Sequence, residues 1–259
     1  MKSSRSLRRG LKIGSPKGFL PRMTPQREGT ERFAANGAAE GLGQPWGTLG
    51  ELGGDPRAAR LFGGGMRVLV ACEFSGVVRR AFRDRGHDAW SCDLLPAEDG
   101  SPFHLQGDVR DVLQDDWDLM IAHPPCTYLA GSGLHWNKRR PERAVLTEEA
   151  LVFVRRLLDA PIQRIALENP IGCISTRIRK PDQIIQPWQF GHDASKATCL
   201  WLKGLEPLRP TRVLEGGKGT RRANQTPSGQ NRLGPSPMRW KERSRTYSGI
   251  AEAMAEQWG

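Results

Sequence analysis

Two short stretches carry the residue types best suited to chemistry. One is His123-Pro124-Pro125-Cys126-Thr127-Tyr128, after the apolar run 118–122; the other is Glu168-Asn169-Pro170, after the apolar run 164–167. A thiol reacts as its thiolate and needs exposure and an electropositive setting. Cys126 sits on a loop of a basic chain with His123 nearby, whereas Cys72, Cys92, Cys173 and Cys199 read as inert core cysteines. The two prolines remove backbone donors and stiffen the exit from the strand, which aims the thiol. Glu168 faces the same cleft from the next strand end, where burial is expected to raise its pKa so that the carboxyl keeps or donates a proton. A thiolate with such an acid suits attack on an electron-poor heterocycle. The sulfur adds to one ring carbon, the acid engages a ring nitrogen, and the neighbouring carbon becomes nucleophilic.

A second set of polar residues also follows apolar runs. Glu73-Phe74-Ser75-Gly76 holds one glycine, so it is neither a phosphate-cradling loop nor a dinucleotide fingerprint. Asp93 is placed to accept from ribose hydroxyls, and Asp108 from an adenine amino group. Each alone reads equally well as a cap or turn residue. Together they describe an adenosine site.

The elements that must position these groups follow from periodicity. Residues 67–71 form a short apolar run of the kind a buried parallel strand needs, and a helical segment over 77–85 is stopped by Gly86. Strands are predicted at 89–93, 104–109, 118–122 and 164–167. A helix is predicted over 147–160, with Glu148 and Glu149 in its first turn and Pro161 beyond its end. A further strand at 197–202 and a terminal helix over 250–258 complete the pattern. Strands alternating with helices predict a doubly wound, Rossmann-like α/β sheet that binds ligands beyond the carboxyl ends of its strands. All the polar residues singled out above sit at such ends.

Composition bounds the rest. The chain has 259 residues, 37% of them hydrophobic, enough for a real core. Its 39 Lys and Arg against 28 Asp and Glu give a net charge of +11, which favours a polyanionic partner, nucleic acid first. No run of about 18 apolar residues exists, so no membrane span is expected, and the N-terminus lacks the apolar core of a secretory signal. Five scattered cysteines without a CxxC pair argue against a disulfide framework and a zinc site, so no metal is expected and a reducing compartment fits. Residues 1–65 hold 14 of the 30 glycines and 11 Lys and Arg, and read as a disordered basic extension ahead of a domain over 66–259. Residues 209–245 hold ten Lys and Arg against Glu215 and Glu242. This tract, within a flexible basic loop over 205–245, offers Arg221, Arg222, Arg239 and Lys241 as phosphate contacts.

The ordered set EFSG, CD, GDV, DLMIAHPPC and IALENP resembles the DNA cytosine-5 methyltransferase family, particularly its small phage-type members. The resemblance implies a class I methyltransferase sheet with a short irregular basic C-terminal region. It implies S-adenosylmethionine as donor, held by Phe74, Ser75, Gly76, Asp93, Asp108, Val109 and Pro124. It makes Cys126 the nucleophile that attacks C6 of cytosine and Glu168 the acid that contacts N3, with the target base flipped from its stack. Lys196 stands at the family's basic position, and DNA is the implied partner of a monomer in the cytoplasm of a bacterial or phage-infected cell. Two other readings stand beside it: a methyltransferase acting on an exocyclic amino group, and a non-catalytic DNA-binding protein with the same fold.

Overall fold

In the computed structural model, residues 65–259 are described; the extension expected over 1–65 lies outside them apart from Gly65. Seven strands form one sheet: β1 (Arg67–Ala71), β2 (Asp88–Asp93), β3 (His104–Gln106), β4 (Leu119–Ala122), β5 (Arg164–Pro170), β6 (Gln183–Ile185) and β7 (Thr198–Lys203). Their spatial order is β3-β2-β1-β4-β5-β7-β6. The first five pair in parallel, and β7 runs antiparallel to both β5 and β6. The fold is thus doubly wound, Rossmann-like α/β, as the alternation of elements predicts.

The helices are α1 (Val77–Arg83), α2 (Gly131–Leu134), α3 (Pro141–Leu158), α4 (Ile174–Arg177), α5 (Arg239–Ser244) and α6 (Ser248–Trp258). The central strands are apolar on both sides because both faces are covered. Val68, Val70, Leu119 and Ile121 pack with Val78 and Phe82 of α1 and Ile250, Met254 and Trp258 of α6. Leu69, Ala71, Met120 and Ala122 point the other way, against Leu151, Val154 and Leu157 of α3. Side chains alternate along each strand, so one apolar run serves two cores.

Several elements differ from expectation for local reasons. β3 ends at Gln106 because Asp108 turns the chain into a short 3-10 turn, Val109–Asp111, and accepts from the Arg110 amide. α3 starts at Pro141, a position that needs no amide donor. Thr147, read as a helix start, lies inside it, buried, with its hydroxyl donating to the carbonyls of Tyr128 and Arg143. β5 runs three residues further than its apolar core, because β7 pairs with it through Glu168, Asn169 and Pro170.

The sheet order reverses between β1 and β4, and their carboxyl ends are tied where the His123 amide donates to the Ala71 carbonyl at 2.9 Å. Ligand sites in open α/β sheets lie at this switch point.

Candidate active site

Parallel pairing sets the central geometry. Ala122 of β4 is in register with Leu167 of β5, so one residue further His123 comes beside Glu168. His123 Nδ1 lies 3.1 Å from Glu168 Oε2. Both side chains are mostly buried, at 9% and 14% exposure. The next residue of β5, Asn169, is 1% exposed and donates from Nδ2 to the Pro124 carbonyl at 2.7 Å. That bond fastens the Pro-Pro loop to the Glu-Asn strand end. Beyond it Cys126 is exposed, and its carbonyl accepts from the amides of Leu129 and Ala130, which starts a tight turn. Thus Pro124 and the loop that carries Cys126 are held beside the strand that carries Glu168, with His123 and Asn169 as the fasteners.

The electrostatics correct one expectation. Burial is the largest influence on Glu168 and pushes its pKa up, but the His123 hydrogen bond, Lys196 and the Thr198 hydroxyl together outweigh it. Its carboxyl is therefore held below the ordinary carboxylate range, and at neutral pH it is an acceptor. The Cys126 thiol is pushed up, first by burial and then by the Glu168 carboxylate, against the pull of Lys196 and Arg243.

The other strand ends hold the predicted polar set. Cys72 adopts a left-handed conformation, φ 59°, with its amide on the Cys92 carbonyl at 2.7 Å. A non-glycine residue held there marks local backbone strain of the kind found at ligand sites. Glu73 caps α1, its carboxylate accepting from the amides of Val78 and Arg79, and Gly76 enters the helix at φ 68°. Phe74, Ser75, Val109 and Pro124 are buried. Asp93 accepts from the Leu95 amide, and its pKa is raised by burial above all. Asp108 is gripped by the Arg110 guanidinium, which holds its carboxyl near 2, pKa about 2. Its observed task is to cap the turn that carries Val109.

A segment read as flexible loop lies over this cleft. In α5, Trp240 packs on Phe74 with ring centroids 5.8 Å apart, and Lys241 also faces that ring. Glu98 pairs with Lys241 at 2.5 Å and Arg245 at 2.7 Å. On its other side, Lys196 donates from Nζ to the carbonyls of Arg243 and Arg245. A cavity of about 350 Å³ opens between α1 and this segment, lined by Ser75, Val77, Arg80, Glu98, Asp99, Lys241 and Arg245.

The proposed phosphate contacts divide. Arg221 is exposed, and Arg239 and Lys241 are partly exposed. Arg222 is not available: it is buried, donating to the carbonyls of Glu215 and Gly217, with Trp188 under its guanidinium. It latches the loop. The sequence reading missed a second cationic surface, on the segment that follows the Cys126 loop. His135, Trp136, Lys138, Arg139 and Arg140 are all exposed, the two guanidiniums lying 5.7 and 5.0 Å from the Trp136 ring. Arg143 anchors this segment to the loop by donating to the Thr127 carbonyl at 2.7 Å. The run HWNKRRPER, basic with an aromatic inside it, was the available signal. Among the described residues no group of His, Cys, Asp and Glu is arranged to hold a metal ion, and no helix is long and apolar enough to cross a membrane.

No protein-family model matches the chain, and no curated protein matches it. Among solved structures it is similar to the S. pombe Dnmt2 methyltransferase, at 17% identity and TM-score 0.39, over 55% of this chain and 51% of that one. A mutant of Spodoptera frugiperda DNMT2 gives 16%, TM-score 0.36, and 61% and 54% coverage. WbdD, crystallised with a kinase inhibitor, gives 15%, TM-score 0.35, and 58% and 39%. The chain spans about half or less of the length of each.

Proposed function

We propose that this protein transfers a methyl group from S-adenosylmethionine to C5 of cytosine in DNA through a covalent Cys126 adduct. The observation that carries the reading is that the loop bearing Cys126 is fastened to the strand bearing Glu168, by the Asn169 to Pro124 hydrogen bond and the His123 to Glu168 contact. A second thiol or acid elsewhere is not needed. The Cys126 thiolate adds to C6 of the flipped base while Glu168 engages N3, which makes C5 nucleophilic. Once C5 had taken up the methyl group that bound S-adenosylmethionine would supply, loss of the C5 proton to solvent and expulsion of the thiolate would restore the aromatic ring and free Cys126.

The donor-side residues fit a nucleoside without a pyrophosphate. The loop after β1 has no glycine-rich phosphate cradle, while Asp93 ends β2, Asp108 follows β3 by two residues, and Phe74 follows β1. S-adenosylmethionine, when bound, supplies an electrophilic methyl group. Phe74, Ser75 and Gly76 would hold it from the β1 side, Asp93 its ribose hydroxyls, and Val109 and Pro124 its base and flank, with Asp108 fixing the turn that presents Val109.

DNA is the favoured substrate because the chain carries a net charge of +11 and presents cations: exposed Arg139 and Arg140 on the segment that Arg143 ties to the Thr127 carbonyl, and exposed Arg221 with partly exposed Arg239. The test is to incubate the full chain with labelled donor and DNA and to identify the modified nucleoside by mass spectrometry. The expected product is 5-methylcytosine. An N4-methylated or N6-methylated product instead transfers the reading to exocyclic amino chemistry, and donor-free, salt-sensitive DNA binding alone transfers it to a non-catalytic binder.

A further inference from the structure

The segment between the Cys126 loop and α3 is built around one indole. Trp136 lies in a 3-10 turn, His135–Lys138, and its carbonyl accepts from the amides of Arg139 and Arg140 at 3.0 and 2.9 Å. Closing the turn there sets both side chains beside the Trp136 ring, their guanidiniums 5.7 and 5.0 Å from its centroid. The His135 ring adjoins it at 4.9 Å, tilted by 41°. All four side chains are exposed. From Thr127 to Arg140 the chain has no Asp or Glu, so Lys138, Arg139 and Arg140 meet no acid within their own segment.

This turn is fixed to the thiol loop. Arg143 donates to the Thr127 carbonyl at 2.7 Å, and Asn137 donates to the Thr147 hydroxyl, which donates to the Tyr128 carbonyl at 3.1 Å. The two residues after Cys126 are thus the two that hold the Trp136 turn. Cations take phosphates, but an exposed aromatic face has another use. In an intact duplex every base is stacked on both sides, so a protein ring reaches a base face only by driving a wedge between steps. Trp136 is 39% exposed with two guanidiniums over its ring, so it has no projecting tip to act as one. An unpaired strand offers free base faces, and a basic surface with an exposed ring holds it through phosphates and stacking together.

Building on the DNA reading above, we propose that Trp136 is a stacking platform for an unpaired base beside the target cytosine, and that the substrate is a locally single-stranded stretch of DNA. Lys138, Arg139 and Arg140 hold its backbone. Phosphates draw the two guanidiniums off the indole, and the face they leave receives the base. The target cytosine then leaves a stack, not a base pair, on its way to Cys126.

The experiment measures binding of the full chain, without donor, to a fluorescent single-stranded oligonucleotide containing one cytosine and to the same strand in a duplex, across a salt series. The single strand should bind about 10-fold tighter; Trp136→Ala should lose about 10-fold on it at an unchanged salt slope, and Trp136→Phe, which keeps a ring, should recover most of that. Arg140→Ala should lower the slope by about 0.7, the share of one phosphate contact on a single strand. Tighter binding to the duplex, an unchanged single-strand affinity in Trp136→Ala, or full recovery by Trp136→Leu, which has bulk but no ring, overturns the proposal. A clear preference for RNA of the same sequence overturns the choice of DNA. In parallel, the wild-type chain is photocrosslinked to a single strand carrying 5-iodouracil beside the cytosine. The crosslinked peptide should contain Trp136, and a crosslink confined to other residues overturns the platform. A chain that needs Trp136 to hold the single strand but methylates nothing refutes the methyltransfer reading and leaves the platform standing. Duplex 5-methylcytosine formed as fast by Trp136→Ala as by wild type does the reverse.

Discussion

Asn169→Ala is the most informative single change in the site. The Asn169 side chain is fully enclosed and its Nδ2 donates to the Pro124 carbonyl at 2.7 Å. Removing it leaves a buried carbonyl without a donor, which costs about 1–3 kcal/mol. For a domain of this size each kcal/mol moves the melting temperature by about 2–4 °C, so the shift should be about 2–12 °C downward. The loop it releases carries Cys126 two residues later. A misplacement of about 1 Å at a reacting atom costs about 10²-fold in rate, so adduct formation should fall far more than stability does. Asn169→Asp sharpens the test, because it keeps the shape but turns the donor into an acceptor facing a carbonyl; it should be at least as damaging at neutral pH. Thermal melts and single-turnover adduct yields read both effects. If Asn169→Ala melts within a degree of wild type and forms adduct at the same rate, the hydrogen bond does not position the thiol and the reasoning fails.

Other expected outcomes are more easily stated. Because the Cys126 thiol is pushed up by burial and then by Glu168, its alkylation rate should keep rising with pH beyond the ordinary thiol range, and Glu168→Gln should speed alkylation while abolishing turnover. Asp99 is pushed down to about 2: burial opposes ionisation, but Arg79 and Arg80 outweigh it. A depressed carboxylate stabilises the fold above its unfolded pKa and loses that contribution as pH falls toward its folded one, so melting temperature should drop between about pH 4 and 2, less so in Asp99→Asn. Gly76→Ala drives a Cβ into the Arg79 guanidinium at φ +68° and should weaken donor binding measured by calorimetry. Arg221→Ala should lower the salt dependence of DNA affinity by about one counterion, whereas Arg222→Ala should lower the melting temperature by freeing the carbonyls it holds.

The strands near the site were legible because buried parallel strands need uninterrupted apolar runs. β1 has the limits its sequence suggests, Arg67–Ala71, and β4 and the start of β5 differ by at most one residue. The missed elements lack a local signal. β6 is three residues of edge strand that exist through pairing with β7, and α5 lies in a Gly, Pro and Arg-rich tract where only its contacts with Phe74 and Glu98 fix it. The position of Cys126 and Glu168 at strand ends could be read from the residues before them. The state of Glu168 could not, because its direction depends on His123 and Lys196, which come from another strand and another loop. His123 itself was visible as a neighbour of the thiol, but its partner follows from register, one residue beyond the Ala122 and Leu167 pair.

The central claim is that the Cys126 sulfur bonds to C6 of a cytosine in DNA. DNA containing 5-fluorocytosine lacks the C5 proton whose loss frees the enzyme, so in the presence of S-adenosylmethionine it should trap the protein as a stable adduct. The account predicts a denaturation-resistant complex whose crosslinked peptide contains Cys126, absent in Cys126→Ser. Methylated cytosine C5 formed by Cys126→Ser, or a crosslink mapped to any other cysteine, would contradict it.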